Sequence, residues 1–93
     1  MDVTTYTLSA PVQAHGKAMT ELVIRQPTSR EVQDIGMMPY RIDQDGVPQL
    51  VTSACGRYIA KCADIPPSSV DQLALKDFNE LCWVVAGFFF RQG

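Results

Sequence analysis

The stretch Asp77-Phe78-Asn79-Glu80-Leu81-Cys82-Trp83-Val84-Val85-Ala86-Gly87-Phe88-Phe89-Phe90 constrains the fold more than any other. At ~3.6 residues per turn it reads as one helix of about four turns. An apolar stripe through Phe78, Leu81, Cys82, Val85 and Phe89 has the spacing of a core-facing helix. A second apolar line runs through Trp83, Gly87 and Phe90, with Val84 and Phe88 beside it. A helix on the surface of a small domain needs one such stripe. The second must be covered by a larger core, a twin subunit or another chain.

A larger core is hard to supply. The chain has 93 residues, which predicts a single domain over 1–93. A chain of this size removes at best about two thirds of its unfolded surface from water. Net charge is −2 and the eight Lys and Arg are scattered, without the basic patch or aromatic-plus-arginine pattern of nucleic-acid binders. Three cysteines, Cys55, Cys62 and Cys82, form no CxxC pair. Their odd number predicts free thiols in a reducing compartment. The opening residues lack the basic-then-apolar layout of a secretory signal. The longest uncharged run, Leu81 to Phe90, has ten residues, where a helix needs about twenty to span a bilayer. No membrane partner is expected, and the cytosol is the expected compartment.

The N-terminal quarter reads as a β-hairpin over 1–26. Val3 to Ala10 and Met19 to Arg25 are rich in β-branched and aromatic residues. A three-residue loop Ala14-His15-Gly16 would place Leu8 opposite Leu22 and Tyr6 opposite Ile24, all on one face. Pro11 is tolerable because both strands are edges. An isolated hairpin is marginal in water, so this one must pack on helices. Thr28-Ser29-Arg30-Glu31 has the form of a capping box, opening a short helix over 28–36 that Gly36 can close. Residues 37–47, with Pro39, Asp43, Asp45 and Gly46, read as a loop. A second amphipathic helix over 48–63 carries Leu50, Val51, Ala54, Tyr58, Ile59 and Cys62 on one side. Pro66-Pro67 breaks the chain. Ser68-Ser69-Val70-Asp71 suggests a second capping box with a short helix over 68–73, and Asp77-Phe78-Asn79-Glu80 a third, opening the helix over 77–90. The fold class is α+β: an N-terminal β-hairpin packed against about three α-helices, the C-terminal one longest and most apolar.

Residues capable of chemistry have structural explanations. Asp43-Gln44-Asp45-Gly46 resembles the middle of a calcium loop, but that register puts Arg41 and Thr52 where acidic ligands are required. His15 falls in a hairpin turn with no nucleophile or metal partner in sequence. Cys55 and Cys62 lie two helical turns apart, unlike common zinc spacings. Asp71, Asp77 and Glu80 sit where helix caps belong. No catalytic, cofactor-binding or metal-binding residues are expected, and the chain does not read as an enzyme.

The order of the pieces carries a resemblance. Tyr6-Thr7-Leu8 and Pro11 lead to Glu21-Leu22-Val23-Ile24-Arg25-Gln26-Pro27-Thr28. The helix from Leu50 to Cys62 leads to Ile65-Pro66 and Ser69-Val70-Asp71-Gln72-Leu73, and Asp77-Phe78 opens the helix ending Gly87-Phe88-Phe89. Over nearly its whole length the chain resembles the tail assembly chaperones of long-tailed, contractile-type bacteriophages and prophages. Departures from the family pattern include the loop from Met37 to Pro48. The resemblance implies a non-enzymatic protein of the host cell cytoplasm. It implies binding to the tape measure protein, which is kept soluble until tail tube subunits polymerise around it, and absence from the mature virion. The competing expectation is a small structural or connector subunit of the tail, or a generic oligomeric interaction domain. Under either, the stripe of Phe78, Leu81 and Val85 faces inward. Trp83, Val84, Gly87, Phe88 and Phe90 form the partner-binding face, with homo-oligomerisation expected.

Overall fold

The computed structural model describes residues 3–90. Strands β1 (Val3–Ala14) and β2 (Lys17–Arg25) form an antiparallel hairpin. Helix α1 (Ser29–Ile35), strands β3 (Tyr40–Ile42) and β4 (Pro48–Leu50), and helices α2 (Thr52–Ala63), α3 (Pro67–Val70) and α4 (Leu75–Phe90) follow. The architecture is α+β, with the N-terminal hairpin lying on the helices and the C-terminal helix the longest. Helix α2 is central, touching β2, α1, α3 and α4.

The hairpin turns through two residues, not three. His15 and Gly16 both have positive φ, 55° and 78°, the primed turn that suits the right-handed twist of paired strands. Ala14 therefore pairs with Lys17 and Val12 with Met19. The register then shifts between Thr7 and Val12, so that Tyr6 pairs with Leu22 and Thr4 with Ile24. The expected pairs, Leu8 with Leu22 and Tyr6 with Ile24, are displaced by two residues along β1. A two-residue slip keeps side chains on their face. Leu8, Leu22 and Ile24 are still buried, with Tyr6 packed against them. Pro11, which has no N–H to give a ladder, lies inside the irregular stretch.

Residues 37–47 are not a plain loop. Strands β3 and β4 pair as Tyr40↔Leu50, Arg41↔Gln49 and Ile42↔Pro48. Their five-residue connection is held by the Asp43 carboxylate, which accepts from the amides of Asp45 and Val47 and from Gln49 Nε2. Pairing claims Pro48 to Leu50, so the helix expected from 48 starts at Thr52. The Val51 amide donates to the Pro39 carbonyl at 2.8 Å and cannot serve a helical turn. The Thr28–Glu31 capping box of α1 is present, and Gly36 closes the helix at φ 83°.

The other two capping boxes do not form. Helix α3 starts at Pro67, an N1 proline, without a side-chain cap. It ends at Val70, short of the expected 73, because the next amides turn to 3-10-type bonds, Gln72 to the Ser69 carbonyl and Leu73 to that of Val70; buried Ser69 donates through Oγ to the Gln13 carbonyl of β1. Helix α4 starts at Leu75, two residues earlier than expected, and Asp77 turns away from its own helix end. The core joins Leu8, Val12, Leu22 and Ile24 of the hairpin to Ala54, Cys55, Tyr58, Ile59 and Cys62 of α2. Leu81, Cys82, Val85 and Phe88 of α4 complete it.

Candidate protein-interaction surface

Two anchors fix the direction of α4. At its start, the Asp77 carboxylate is fully buried and reaches the irregular stretch of β1. Oδ2 accepts from the Ser9 amide at 2.9 Å and the Ser9 hydroxyl at 3.0 Å. The Tyr6 hydroxyl lies 2.9 Å from Asp77 Oδ1 and 2.7 Å from Glu80 Oε2. The bulged backbone, freed from the ladder, thus finds its acceptor on α4. Burial pushes the Asp77 carboxyl up, but bonds from Tyr6, Ser9 and the Ala10 backbone outweigh it and hold it below its ordinary value. The Tyr6 hydroxyl is driven well up, chiefly by its bond to Glu80, then by burial and by Asp77. At the other end of α4, the Phe89 ring meets Tyr58 edge-on at 5.5 Å and Tyr40 at 6.0 Å. Tyr40 also tilts against Phe90 at 4.6 Å.

A third tie sits at the exit of β2. Arg25 and Glu31 form a two-pronged ion pair at 2.8 and 2.6 Å, and Arg25 also donates to the Lys61 carbonyl in the last turn of α2. The Arg25 bond holds the Glu31 carboxyl at about 2, against the opposing effect of burial and with help from the Thr28 amide. The segment Arg25 to Thr28, unremarkable in sequence, joins β2, α1 and α2.

With α4 aimed this way, its faces sort as follows. Leu81 and Val85 are fully buried, as is Cys82; Phe78 and Phe89 are half-buried and pack on the core. Of the outer set, Trp83 is 47% and Phe90 40% exposed; Gly87 is intermediate, and Val84, also intermediate, packs in part against the core. Phe88 does not belong to that set. It is only 5% exposed and joins the core cluster, because a helix lying in the angle between hairpin and α2 buries more than one narrow stripe. The assignment of Phe88 to a partner-facing surface is therefore corrected.

The outer line does not stop at Phe90. Tyr40 and Ile42 lie on the same face of β3, and Tyr40 rests on Phe90, so the apolar surface continues onto Ile42, which is largely exposed. Met37 and Met38, also exposed, lead into it. Their segment is tied down by the Tyr58 hydroxyl donating to the Met37 carbonyl at 2.6 Å. Sequence reasoning missed this extension. The signal was present, as Tyr40-Arg41-Ile42 alternates ahead of Asp45-Gly46, a common hairpin-turn pair.

The candidate chemical groups are engaged in structure. His15 Nε2 pairs with the Asp64 carbonyl at 2.7 Å. All three thiols are buried, and burial pushes Cys62 up to about 11, well away from thiolate chemistry. Among the described residues, no group of three or more His, Cys, Asp or Glu is placed to hold a metal ion. Likewise, none of the described helices is long and apolar enough to cross a membrane. Two shallow grooves of 450 and 560 Å³ flank Arg57 on the outer side of α2, one lined by Val70, Leu73 and Phe78, the other by Glu31, Ile35 and Lys61.

This is a small α+β domain in which the candidate chemical groups hold elements together, while Trp83, Phe90 and Ile42 leave apolar surface open. A model of the family described as phage tail assembly chaperone proteins, E, or 41 or 14, matches residues 5–89. The chain belongs to this family, which gives it a role as a tail assembly chaperone with a protein partner in that process. No curated protein and no solved structure matches the chain.

Proposed function

We propose that this chaperone binds the tape measure protein through the outer face of α4 and its extension onto β3. It acts without catalysis, in the host cell cytoplasm, and is left behind when the tail is complete. The observation that carries this reading is the uncharged line Trp83–Gly87–Phe90, continued by Tyr40 and Ile42, on a helix rigidly held at both ends. A long, largely helical client presents apolar stripes that water drives together. A groove-and-helix contact takes such stripes at i, i+3, i+4 and i+7 spacing. Covering the exposed parts of Trp83, Phe90 and Ile42 supplies several kcal/mol at roughly 25 cal/mol per Å². Paired exposed methionines, Met37 and Met38, add a surface that adapts to different side chains.

The test is co-expression with the neighbouring tape measure protein. Wild type is expected to hold it in the soluble fraction. A Trp83→Asp, Phe90→Asp variant, shown to be folded by circular dichroism, is expected to lose most of that effect. Unchanged solubility of the tape measure protein would overturn the assignment. Mass spectrometry of purified virions adds an independent check, since a structural subunit of the tail would persist there and a chaperone would not.

A further inference from the structure

Gly87 is costly within one subunit. A glycine inside a helix is disfavoured by about 1 kcal/mol relative to alanine. A Cβ built at Gly87 meets nothing within 4 Å, so no neighbour in the described chain requires its absence. Close approach by a backbone from outside would give the missing side chain a use. The flanking residues indicate whose backbone. Trp83 precedes Gly87 by four residues and Phe90 follows by three, so at 1.5 Å and 100° per residue both stand on nearly one line, ~6 Å and ~4.5 Å either side of the glycine. The line is almost symmetric about Gly87. A reversed copy of the same helix matches it, Trp83 against Phe90 and Phe90 against Trp83.

We propose that a second copy of this chain covers the outer face of α4, the two α4 helices crossing antiparallel at Gly87. The Phe90 ring, which has Tyr40 against it, receives the Trp83 ring of the second copy. No charged residue lies between Leu81 and Phe90, so the copies meet without like-charge repulsion. The apolar area is a large part of what an interface needs. Trp83, Phe90, Ile42, Met37 and Met38 are each about half exposed, which at roughly 200 Å² for a large side chain amounts to about 500 Å² of apolar surface. That is more than half of the ~800 Å² that each partner contributes to a standard interface, with Asn79, Glu80 and Arg41 at hand for a polar rim. Self-pairing and client binding then use one surface and exclude each other, so the pair stores the apolar face until a client displaces the second copy. The competition rests on the proposed client; the pairing does not.

Sedimentation velocity over a concentration series is expected to show a reversible dimer. Gly87→Leu, whose side chain enters open space in the single subunit, is expected to raise the dimer dissociation constant about tenfold or more while keeping full helix content. Cross-linking fixes the direction. Disulfide formation needs Cα atoms within ~7 Å, whereas residue 83 and its own copy are ~12 Å apart, and residue 90 and its copy ~9 Å, along an antiparallel pair centred on Gly87. A chain with Trp83→Cys mixed with a chain carrying Phe90→Cys is expected to give the mixed disulfide, and neither chain alone to cross-link. Adding the tape measure protein is expected to lower that yield. A monomeric wild type, a dimeric Gly87→Leu, or a Trp83→Cys chain that cross-links to itself would each overturn the pairing. If such a result coincides with full solubilisation of the tape measure protein, the client assignment survives. A dimer that fails to solubilise the client removes the client assignment alone.

Discussion

Replacing Asp77 by alanine tests the claim that α4 is aimed by its first turn. The carboxylate is buried and accepts two bonds from Ser9 and shares a third with Glu80 through Tyr6. Tyr6 keeps Glu80 after the substitution, so its loss is buffered. The hydroxyl of exposed Ser9 can turn to water, but its amide, held against the helix, loses the carboxylate outright. Hydrogen bonds to a charged group contribute about 1.5–3 kcal/mol, and a buried donor left unpaired costs about 1–3 kcal/mol. A small gain in helix propensity offsets a little of this. The expected loss is about 3 kcal/mol, or a fall in Tm of about 10–20 °C for a domain of this size. Total stability for such a domain is about 5–15 kcal/mol, so the variant still folds in the cold. Urea unfolding gives the free energy, and hydrogen exchange at the Ser9 amide gives the location. Ser9→Ala keeps the amide bond and is expected to cost only about 1 kcal/mol. A loss below about 1 kcal/mol for Asp77→Ala, or an unchanged exchange rate at Ser9, would refute the idea that this carboxylate holds the bulge to the helix.

Three further outcomes follow. Glu31 is held at about 2 by Arg25, below the ordinary carboxylate value near 4.3. A depressed carboxyl stabilises the fold above its unfolded pKa and loses that contribution as pH falls through its folded one. The pair's share, of order 1 kcal/mol once screening at the partly exposed Arg25 is allowed for, is therefore expected to disappear between about pH 4.5 and 2. Thermal melts of wild type and Glu31→Gln should converge there. Gly87→Ala is expected to stabilise the single subunit by about 0.5–1 kcal/mol, since the added methyl meets open space; differential scanning calorimetry on dilute protein checks this. Ile59→Ala, in the fully buried face of α2, is expected to cost about 2–5 kcal/mol in chemical denaturation.

Much of the fold was legible because periodicity alone carries it. The stripe of Leu81, Cys82 and Val85 and the alternation of Leu22 and Ile24 put the right side chains inside. What periodicity does not encode is the competition for backbone groups. The register of β1 departs from the expected one because the turn takes two residues and because the Ser9 amide is bonded by Asp77, some seventy positions away, within the irregular stretch. Helix α2 starts later than its apolar spacing suggests because Leu50 suits a helix face and a strand equally, and the pairing with Tyr40 decides between them only in three dimensions. Helical spacing is enough to set Trp83 and Phe90 on an exposed side of α4. It does not place Phe88, whose burial depends on how deeply α4 sits between hairpin and α2. Tyr40 and Ile42 were missed because a three-residue strand leaves little pattern.

The bonds from Tyr6 and Ser9 to Asp77 and Glu80 span 68 to 74 residues of sequence. Folding here is thus an act of closure. Loop-closure entropy must be met before these contacts return anything, and non-local pairing of this kind slows the search for the native state. Until the last helix docks, the bulged half of β1 has amides without acceptors and an apolar face without cover. In kinetic terms the bulged half of the first strand cannot be completed before α4 docks, and any change that delays that docking lengthens the time for which an unfinished strand edge is open to aggregation.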